Sequence, residues 1–182
     1  MMQYEQGVTN IILTGFMGSG KTTVGKLLAR RLNYDFVDTD ALIEAQAQRP
    51  IPQIFAELGE AAFRRMEAEA ARTLAHRQGV VISTGGRLML NPENAAVLGQ
   101  NGRIFCLTAT PDEILRRVQK DGHARPLLAG ANPGKRIAAI LQEREAEYGR
   151  FPQVMTGGKT PAQVVDEIAA QLGGSQTDVS HP

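Results

Sequence analysis

The chain has 182 residues, which is enough for one domain with a buried core but leaves no obvious room for a second folded unit. Its 20 Lys and Arg residues nearly balance 19 Asp and Glu residues, and the net charge is +1. No polybasic block or acidic run stands out along the sequence. The composition therefore gives no sign of a nucleic-acid partner or of binding to an anionic membrane.

Two further features bear on the compartment. Residues 1–6 show no basic segment followed by an apolar stretch, and no later segment approaches the ~20 apolar residues that a membrane span needs. We therefore expect a cytoplasmic protein with no membrane partner. The single cysteine, Cys106, has no partner for an internal disulfide and lies in an apolar run. We interpret it as a buried core thiol.

Short β-type runs alternate with amphipathic helical stretches along the whole chain, which is typical of a parallel sheet flanked by helices. The predicted strands cover residues 10–14, 34–37, 80–83, 103–107 and 153–155. The predicted helices cover residues 21–32, 60–77, 111–120, 135–148 and 161–172. We predict an α/β fold of three layers, α/β/α, with a parallel sheet of about five strands.

Two segments lack any periodic pattern. Residues 121–134 are rich in Gly and Pro and predict a long surface loop, and the polar tail after residue 172 is predicted to be disordered. We therefore predict a single domain over residues 1–172, with a mobile lid near 118–134 and a disordered tail at 173–182.

Residues 15–22, Gly-Phe-Met-Gly-Ser-Gly-Lys-Thr, match the phosphate-binding pattern G-x-x-x-x-G-K-[ST] between a predicted strand and a predicted helix. Glycines let successive backbone N–H groups point at phosphate oxygens, and the helix N-terminus adds partial positive charge. We expect Lys21 to contact the β and γ phosphates of ATP and the Thr22 hydroxyl to bind Mg²⁺. The predicted ATP-binding residues of this loop are Gly18, Ser19, Gly20, Lys21, Thr22 and Thr23.

A phosphate-binding loop identifies the phosphoryl donor but not the acceptor. The Asn-Lys-x-Asp segment with which GTPases recognise guanine is absent from this sequence. Small-molecule kinases instead carry acceptor-binding groups and an arginine on a lid. The sequence offers candidates for both.

Two carboxylates, Asp38 and Asp40, follow the second predicted strand, at the sheet edge where ligands bind in open α/β folds. We expect Asp38 to face the Mg²⁺ shell and Asp40 to accept a proton from a substrate hydroxyl. The alternative is that Asp40 caps a helix beginning at Ala41. Both roles are compatible.

Arginines in three later segments are candidates for binding anionic groups. Arg64 and Glu67 share one side of a predicted helix. Either Arg64 binds a carboxylate while Glu67 holds the arginine or a hydroxyl, or the two residues form only a surface ion pair. Arg125 lies in the breaker-rich loop, where it is placed to close over ATP. Arg144 lies among three glutamates, and the residues alone leave open whether it is only a solvated helix residue.

These motifs together resemble the shikimate kinase family of nucleoside monophosphate kinase-like P-loop enzymes, from about residue 10 to residue 172. The motifs occur in the family's order: residues 15–22, Asp38-Thr-Asp40, Phe63-Arg64 with Glu67, Ser83-Thr-Gly-Gly86, Arg125-Pro-Leu-Leu128, and Arg144 with Tyr148. The resemblance implies an ATP-dependent kinase of aromatic amino acid biosynthesis. It implies phosphorylation of the shikimate 3-hydroxyl, with Mg²⁺ as cofactor, by a monomeric enzyme.

The resemblance also assigns roles to single residues. Asp40 orients the hydroxyl and acts as base, and together with Lys21 and Arg125 it makes up the catalytic set. The substrate-binding residues are Asp40, Arg64, Glu67, Gly85, Gly86 and Arg144. Arg117 lies near the adenine, Arg125 contacts the phosphates, and Lys159 is the remaining candidate on the adenine side. Thr22 and Asp38 are the metal-binding residues.

One residue departs from the family pattern at the acceptor site. Arg87 stands where the family usually has a third glycine, and it adds bulk and positive charge beside the acceptor pocket. Two alternatives to shikimate kinase therefore stay open. One is a related kinase for another hydroxy acid such as gluconate, and the other is a degenerate ATP-binding protein without enzymatic activity.

Overall fold

The computed structural model describes residues 10–85, 87–121 and 132–173. Five strands form one sheet in the order β2-β3-β1-β4-β5, and every neighbouring pair is parallel. The strands are β1 (Asn10–Thr14), β2 (Asp35–Asp38), β3 (Val80–Ser83), β4 (Gly102–Thr108) and β5 (Gln153–Met155). The predicted α/β class and its five parallel strands are confirmed.

Helices connect the strands. Those in the described residues are α1 (Lys21–Leu32), α2 (Thr39–Ala47), α3 (Ile51–Ala75), α4 (Pro92–Gly99), α5 (Pro111–Asp121), α6 (Pro133–Glu143), α7 (Glu145–Gly149) and α8 (Pro161–Gly173), with a 3₁₀ turn at Leu88–Leu90. Helix α4 was not predicted, and α3 begins at Ile51 rather than at residue 60. The helix predicted over 135–148 is two helices, because the backbone of Arg144 leaves the helical conformation between α6 and α7.

Helices cover both faces of the sheet, because successive apolar side chains of β1 point to opposite faces and both sets are buried. Ile11 and Leu13 are buried with residues of α1 and α8. Ile12, between them, is buried on the other face with residues of α3 and α4. Continuous apolar strands of this kind are typical of parallel sheets buried on both sides. The predicted three-layer arrangement is therefore confirmed.

A separate apolar cluster joins β4 to α5, α6 and α7 and includes Phe16, Cys106, Ile137 and Tyr148. Cys106 is fully buried there, and burial raises the pKa of its thiol to about 11. The interpretation of Cys106 as a buried core thiol is confirmed.

Helix α3 contains a sharp bend at Gly59, whose φ of 79° and ψ of 169° are not helical. Because a positive φ with extended ψ is accessible almost only to glycine, the bend is fixed by this residue. The short segment before the bend packs on α2 through Ile54 and Ile43, which share a buried cluster with Phe63. The longer segment after the bend lies against the sheet and carries Arg64 and Glu67.

Parallel pairing brings the carboxyl ends of all five strands to one edge of the sheet. The loop that follows β1, the start of α2 after β2, and Thr84 and Gly85 after β3 therefore meet at this edge. Among the residues that the structure describes, no helix is long and apolar enough to cross a membrane.

Candidate active site

The loop between β1 and α1 has the backbone shape that its glycines predict. Gly15, Gly18 and Gly20 have φ values of 131°, 75° and 98°. A Cβ on Gly15 would lie 2.2 Å from the carbonyl oxygen of Leu107, so no larger residue fits there. The Lys21 ammonium donates to the carbonyl oxygens of Gly15 at 2.8 Å and Phe16 at 3.0 Å. The lysine therefore lies folded over the loop whose N–H groups surround the predicted phosphate site.

Thr22 and Asp38 meet beside this loop. The Thr22 hydroxyl donates to Oδ2 of Asp38 at 3.2 Å, while Oδ1 of Asp38 accepts from the backbone N–H of Asp40 at 3.1 Å. Asp38 is therefore the N-cap of α2. The alternative in which Asp40 caps this helix is wrong, because Asp40 lies inside its first turn and the cap position belongs to the residue two places earlier.

Asp40 is a partly buried carboxyl group packed against the β3 loop. A Cβ on Gly85 would lie 2.3 Å from Oδ1 of Asp40, so only glycine lets the two segments approach this closely. The Gly85 N–H donates to the Thr39 hydroxyl at 2.8 Å and holds the segments together. Burial, followed by the charges of Asp38 and Glu67, raises the pKa of Asp40 to about 6, while Lys21 opposes the rise.

Arg64 and Glu67 form an ion pair with one buried partner. Arg64 Nη1 donates to Glu67 Oε2 at 2.6 Å, and the Glu67 side chain is only 3% exposed. Burial raises the pKa of Glu67, and the neighbouring arginine opposes the rise. The alternative of a surface ion pair is wrong for Glu67. A buried carboxylate of this kind fixes the orientation of the guanidinium group.

Arg144 is a buried residue at a break between two helices. Its φ of −102° and ψ of 6° separate α6 from α7. The guanidinium lies over the ring of Phe16, 5.7 Å from its centroid, and hydrogen-bonds Tyr148. Burial raises the pKa of the Tyr148 hydroxyl. The alternative that Arg144 is a solvated helix residue is wrong, since only 9% of the residue is exposed.

One cavity of about 400 Å³ joins the phosphate loop to the acceptor groups. Its charged lining residues are Lys21, Asp38, Asp40, Arg64, Glu67, Arg87 and Arg144. They come from segments far apart in the sequence, and the fold brings them together at the carboxyl edge of the sheet. Gly18, Gly20, Thr22, Thr23 and Gly85 line the same cavity.

A second cavity of about 360 Å³ lies on the other side of the loop and is lined by Ser19, Arg117 and Lys159, among others. Arg117 donates to the carbonyl oxygens of Gly18 at 3.2 Å and Thr156 at 2.9 Å. Lys159 is paired with Glu167. This arrangement brings the two residues predicted for the adenine side, Arg117 and Lys159, into one cavity with Ser19 of the phosphate loop.

Two predicted site residues, Gly86 and Arg125, lie outside the described residues, as does most of the predicted lid and all of the tail after Gly173. Sequence reasoning missed Glu60, which accepts a hydrogen bond from Arg64 Nη2 at 2.9 Å. Its position four residues before Arg64 on a helix was an available signal. The Thr156 hydroxyl, in the segment that also carries Lys159, donates to the Ser19 carbonyl oxygen at 3.0 Å.

Comparisons with known proteins agree with this geometry. The family model for shikimate kinase matches residues 17–173. The shikimate kinase of Geobacter metallireducens is 44% identical over 168 residues, which cover 92% of this chain and 93% of that protein. The shikimate kinase of Pelotomaculum thermopropionicum is 47% identical over 160 residues, covering 87% and 92%. A solved structure of shikimate kinase from Acinetobacter baumannii in complex with shikimate matches with a TM-score of 0.83 at 32% identity, covering 91% of this chain and 93% of that one. The chain therefore belongs to the shikimate kinase family.

Proposed function

We propose that this chain transfers the γ-phosphoryl group of ATP to the 3-hydroxyl of shikimate, giving 3-phosphoshikimate and ADP. The observation that carries the proposal is that one cavity joins the phosphate-binding loop to Asp40, Arg64 and Arg144. Membership of the family makes the chain an ATP-dependent phosphotransferase. The cavity supplies what such a transfer needs, because catalysis of phosphoryl transfer consists mainly of positioning and charge stabilisation.

On the donor side, the loop N–H groups and the start of α1 bind the phosphates. Lys21, which now donates to two loop carbonyls, turns to the β and γ phosphates when ATP binds. Arg125 of the lid completes the charge clamp, while Arg117 and Lys159 lie on the adenine side. The lining of the second cavity supports the adenine-side assignment of Arg117 and Lys159.

Thr22 and Asp38 fit a magnesium ion shared with the nucleotide. Their side-chain oxygens lie 3.2 Å apart and are hard donors of the kind that Mg²⁺ prefers. In the described parts of the chain, no group of three or more His, Cys, Asp or Glu side chains converges on a metal site. An ion held by these two residues would therefore depend on ATP oxygens and water for its other ligands. When bound, Mg²⁺ supplies positive charge to the transferring phosphoryl group.

On the acceptor side, Asp40 accepts the proton that the 3-hydroxyl loses as its oxygen bonds to the γ-phosphorus. A pKa near 6 leaves Asp40 ionised at neutral pH and still basic enough to hold this proton in the transition state. Arg64 and Arg144 bind the acceptor carboxylate, and buried Glu67 fixes the direction of Arg64. Gly86 is proposed to give a backbone contact to the ring, and Gly85 packs so closely on Asp40 that a Cβ would lie 2.3 Å from Oδ1.

The test is ADP release by the purified protein with shikimate, gluconate, quinate or no acceptor, coupled to a spectrophotometric readout. We expect ADP release that depends on shikimate, with 3-phosphoshikimate identified by phosphorus NMR. Preference for gluconate would favour the related hydroxy-acid kinase. ATP binding without release of ADP under any condition would favour the degenerate protein, and either result would reject the proposal.

We further propose a cytoplasmic, monomeric enzyme that folds as one domain over residues 1–172 with a lid near 118–134. Size-exclusion chromatography with light scattering tests the monomer. Hydrogen exchange of the lid with and without ATP tests its closure, for which slower exchange in the presence of nucleotide is expected.

A further inference from the structure

Arg87, the residue that departs from the family pattern, is joined to the acceptor site through one carboxylate oxygen. Arg87 Nη1 donates to Glu60 Oε1 at 3.2 Å. The same oxygen accepts from Arg64 Nη2 at 2.9 Å and from Arg64 Nε at 3.2 Å. One oxygen of Glu60 therefore lies between two guanidinium groups.

The two carboxylates that contact Arg64 differ in how firmly they are held. The Glu67 side chain is 3% exposed and contacts Nη1, whereas the Glu60 side chain is 55% exposed and contacts Nε and Nη2. Displacing buried Glu67 would leave a charge without its partner in the interior, which is costly. Glu60, at the surface, is the carboxylate that can leave.

Glu60 occupies an edge of Arg64 that suits an external carboxylate. The Nε and Nη2 atoms of an arginine form a fork that donates two parallel hydrogen bonds to a carboxylate. An acceptor carboxylate that binds this edge must displace Glu60. The chain thus contains its own competitor for the substrate-binding arginine.

We propose that Arg87 is a positioning residue that draws Glu60 away from Arg64 and so frees this edge for the carboxylate of the acceptor. The inference rests on the proposed function. Arg87 gives Glu60 a cationic partner that stays in place when Arg64 turns to the substrate. Without Arg87, Glu60 pairs only with Arg64, and the acceptor binds more weakly because it must break this pair.

The alternative is that Arg87, which lines the same cavity, binds the acceptor carboxylate itself. The two mechanisms differ in their dependence on Glu60. If Arg87 acts through Glu60, removing Glu60 abolishes the effect of Arg87 on acceptor binding. If Arg87 contacts the acceptor, the effect persists without Glu60. A double-mutant cycle separates them.

The experiment measures kcat and the KM values for shikimate and ATP in Arg87→Gln, Arg87→Lys, Glu60→Gln and the Glu60→Gln/Arg87→Gln double variant. We expect Arg87→Gln to raise the KM for shikimate about 2- to 5-fold, as for a solvent-exposed ion pair, without changing kcat or the KM for ATP. Arg87→Lys should recover most of the loss, since it keeps the charge. Glu60→Gln should lower the KM for shikimate, and adding Arg87→Gln to it should have no further effect.

Arg72→Gln is the matched control, because Arg72 pairs with Glu69 in an equally exposed ion pair on α3 away from the cavity. It should leave all three constants unchanged. Provided that the unaltered protein turns over shikimate, two results would overturn the inference. One is an unchanged KM for shikimate in Arg87→Gln. The other is a rise in this KM of the same size when Arg87→Gln is added to Glu60→Gln. Absence of shikimate turnover in the unaltered protein would instead reject the proposed function.

Discussion

The two halves of the cavity are built in different ways. The phosphate side consists mainly of backbone, with three glycines at positive φ and one lysine, within the continuous segment from Gly15 to Thr22. The acceptor side consists of side chains from α2, α3, the β3 loop and the break between α6 and α7. The first half is fixed by local conformation, whereas the second depends on the packing of the whole fold.

This difference predicts how each half responds to substitution. A backbone-built site has one essential side chain and little redundancy, so the loss of that side chain should be severe. In a site built from several paired side chains, each single substitution should lower activity or acceptor affinity only partly. Four substitutions, with expected effects from the largest to the smallest, test this contrast.

Lys21→Ala should lower kcat by about 10⁴-fold, because the transferring phosphoryl group loses its fixed positive charge. Steady-state ADP release measures the effect, and circular dichroism and thermal unfolding should show an intact fold. Lys26→Ala is the matched control on the same helix, since Lys26 lies over the partly buried ring of Phe36 and does not line the cavity. Near-normal turnover of Lys21→Ala would contradict the assignment of the donor site.

Asp40→Asn should lower kcat by about 10³-fold through loss of the general base. In the unaltered protein, kcat should fall as the pH drops through about 6, where Asp40 takes up a proton. Because folding raises the pKa of this carboxyl from 3.8 to about 6, the carboxyl stabilises the fold relatively at low pH and loses that contribution as the pH rises through about 6.

The same variant should therefore be more stable at neutral pH, by about 1–3 kcal/mol in the free energy of unfolding. Urea unfolding at about pH 7.5 and about pH 5 measures this gain, which should shrink at the lower pH. A variant that is less stable than the unaltered protein at both pH values would show that the raised pKa of Asp40 does not govern its contribution.

Gly85→Ala should lower kcat/KM for shikimate by about 10²-fold, because the added methyl group displaces Asp40 from its place beside the acceptor. The KM for ATP should change little, which separates the two halves of the cavity. Gly99→Ala is the control, since its Cβ would lie at an ordinary 3.5 Å from Ile104. Equal losses for both substrates would show that the halves are not independent.

Arg64→Lys should raise the KM for shikimate about 10-fold, since an ammonium group keeps the charge but loses the two-pronged hydrogen bonding. Arg65→Lys, at the exposed neighbouring position, is the control and should have no effect. Initial-rate assays of both variants over a range of shikimate concentrations measure the two KM values. An unaffected KM in Arg64→Lys would remove this arginine from the carboxylate site.

The same contrast explains what the sequence predicted. The phosphate loop is contiguous, and its motif specifies the backbone, so the residues from Gly15 to Thr22 were predicted together with the flanking strand and helix. The five strands were also predicted, because apolar β-type runs need no knowledge of tertiary contacts. Helix α4 was missed although Asn91 and Pro92 form a recognisable start signal, with the Asn91 side chain accepting from the Glu93 N–H at 2.8 Å.

The acceptor half was predicted less completely. Residues 51–58 were not predicted as helical because prolines at positions 50 and 52 suggest a break, yet in the structure they occupy the helix start, where proline is tolerated. The burial of Arg144 was not predictable from a local sequence that consists largely of glutamates. Nor was the contact between Arg87 and Glu60, because it joins residues 27 positions apart across the mouth of the cavity.

The bend at Gly59 divides α3 into two parts that contribute to the cavity separately. The part before the bend contributes Ile51 to the wall of the cavity and exposes Leu58, whereas the part after the bend holds Arg64 against buried Glu67. Substitutions before the bend should therefore change the shape of the cavity wall while Arg64 keeps its contact with Glu67. A single glycine thus separates the part of the helix that shapes the cavity wall from the part that holds the arginine proposed to bind the acceptor carboxylate.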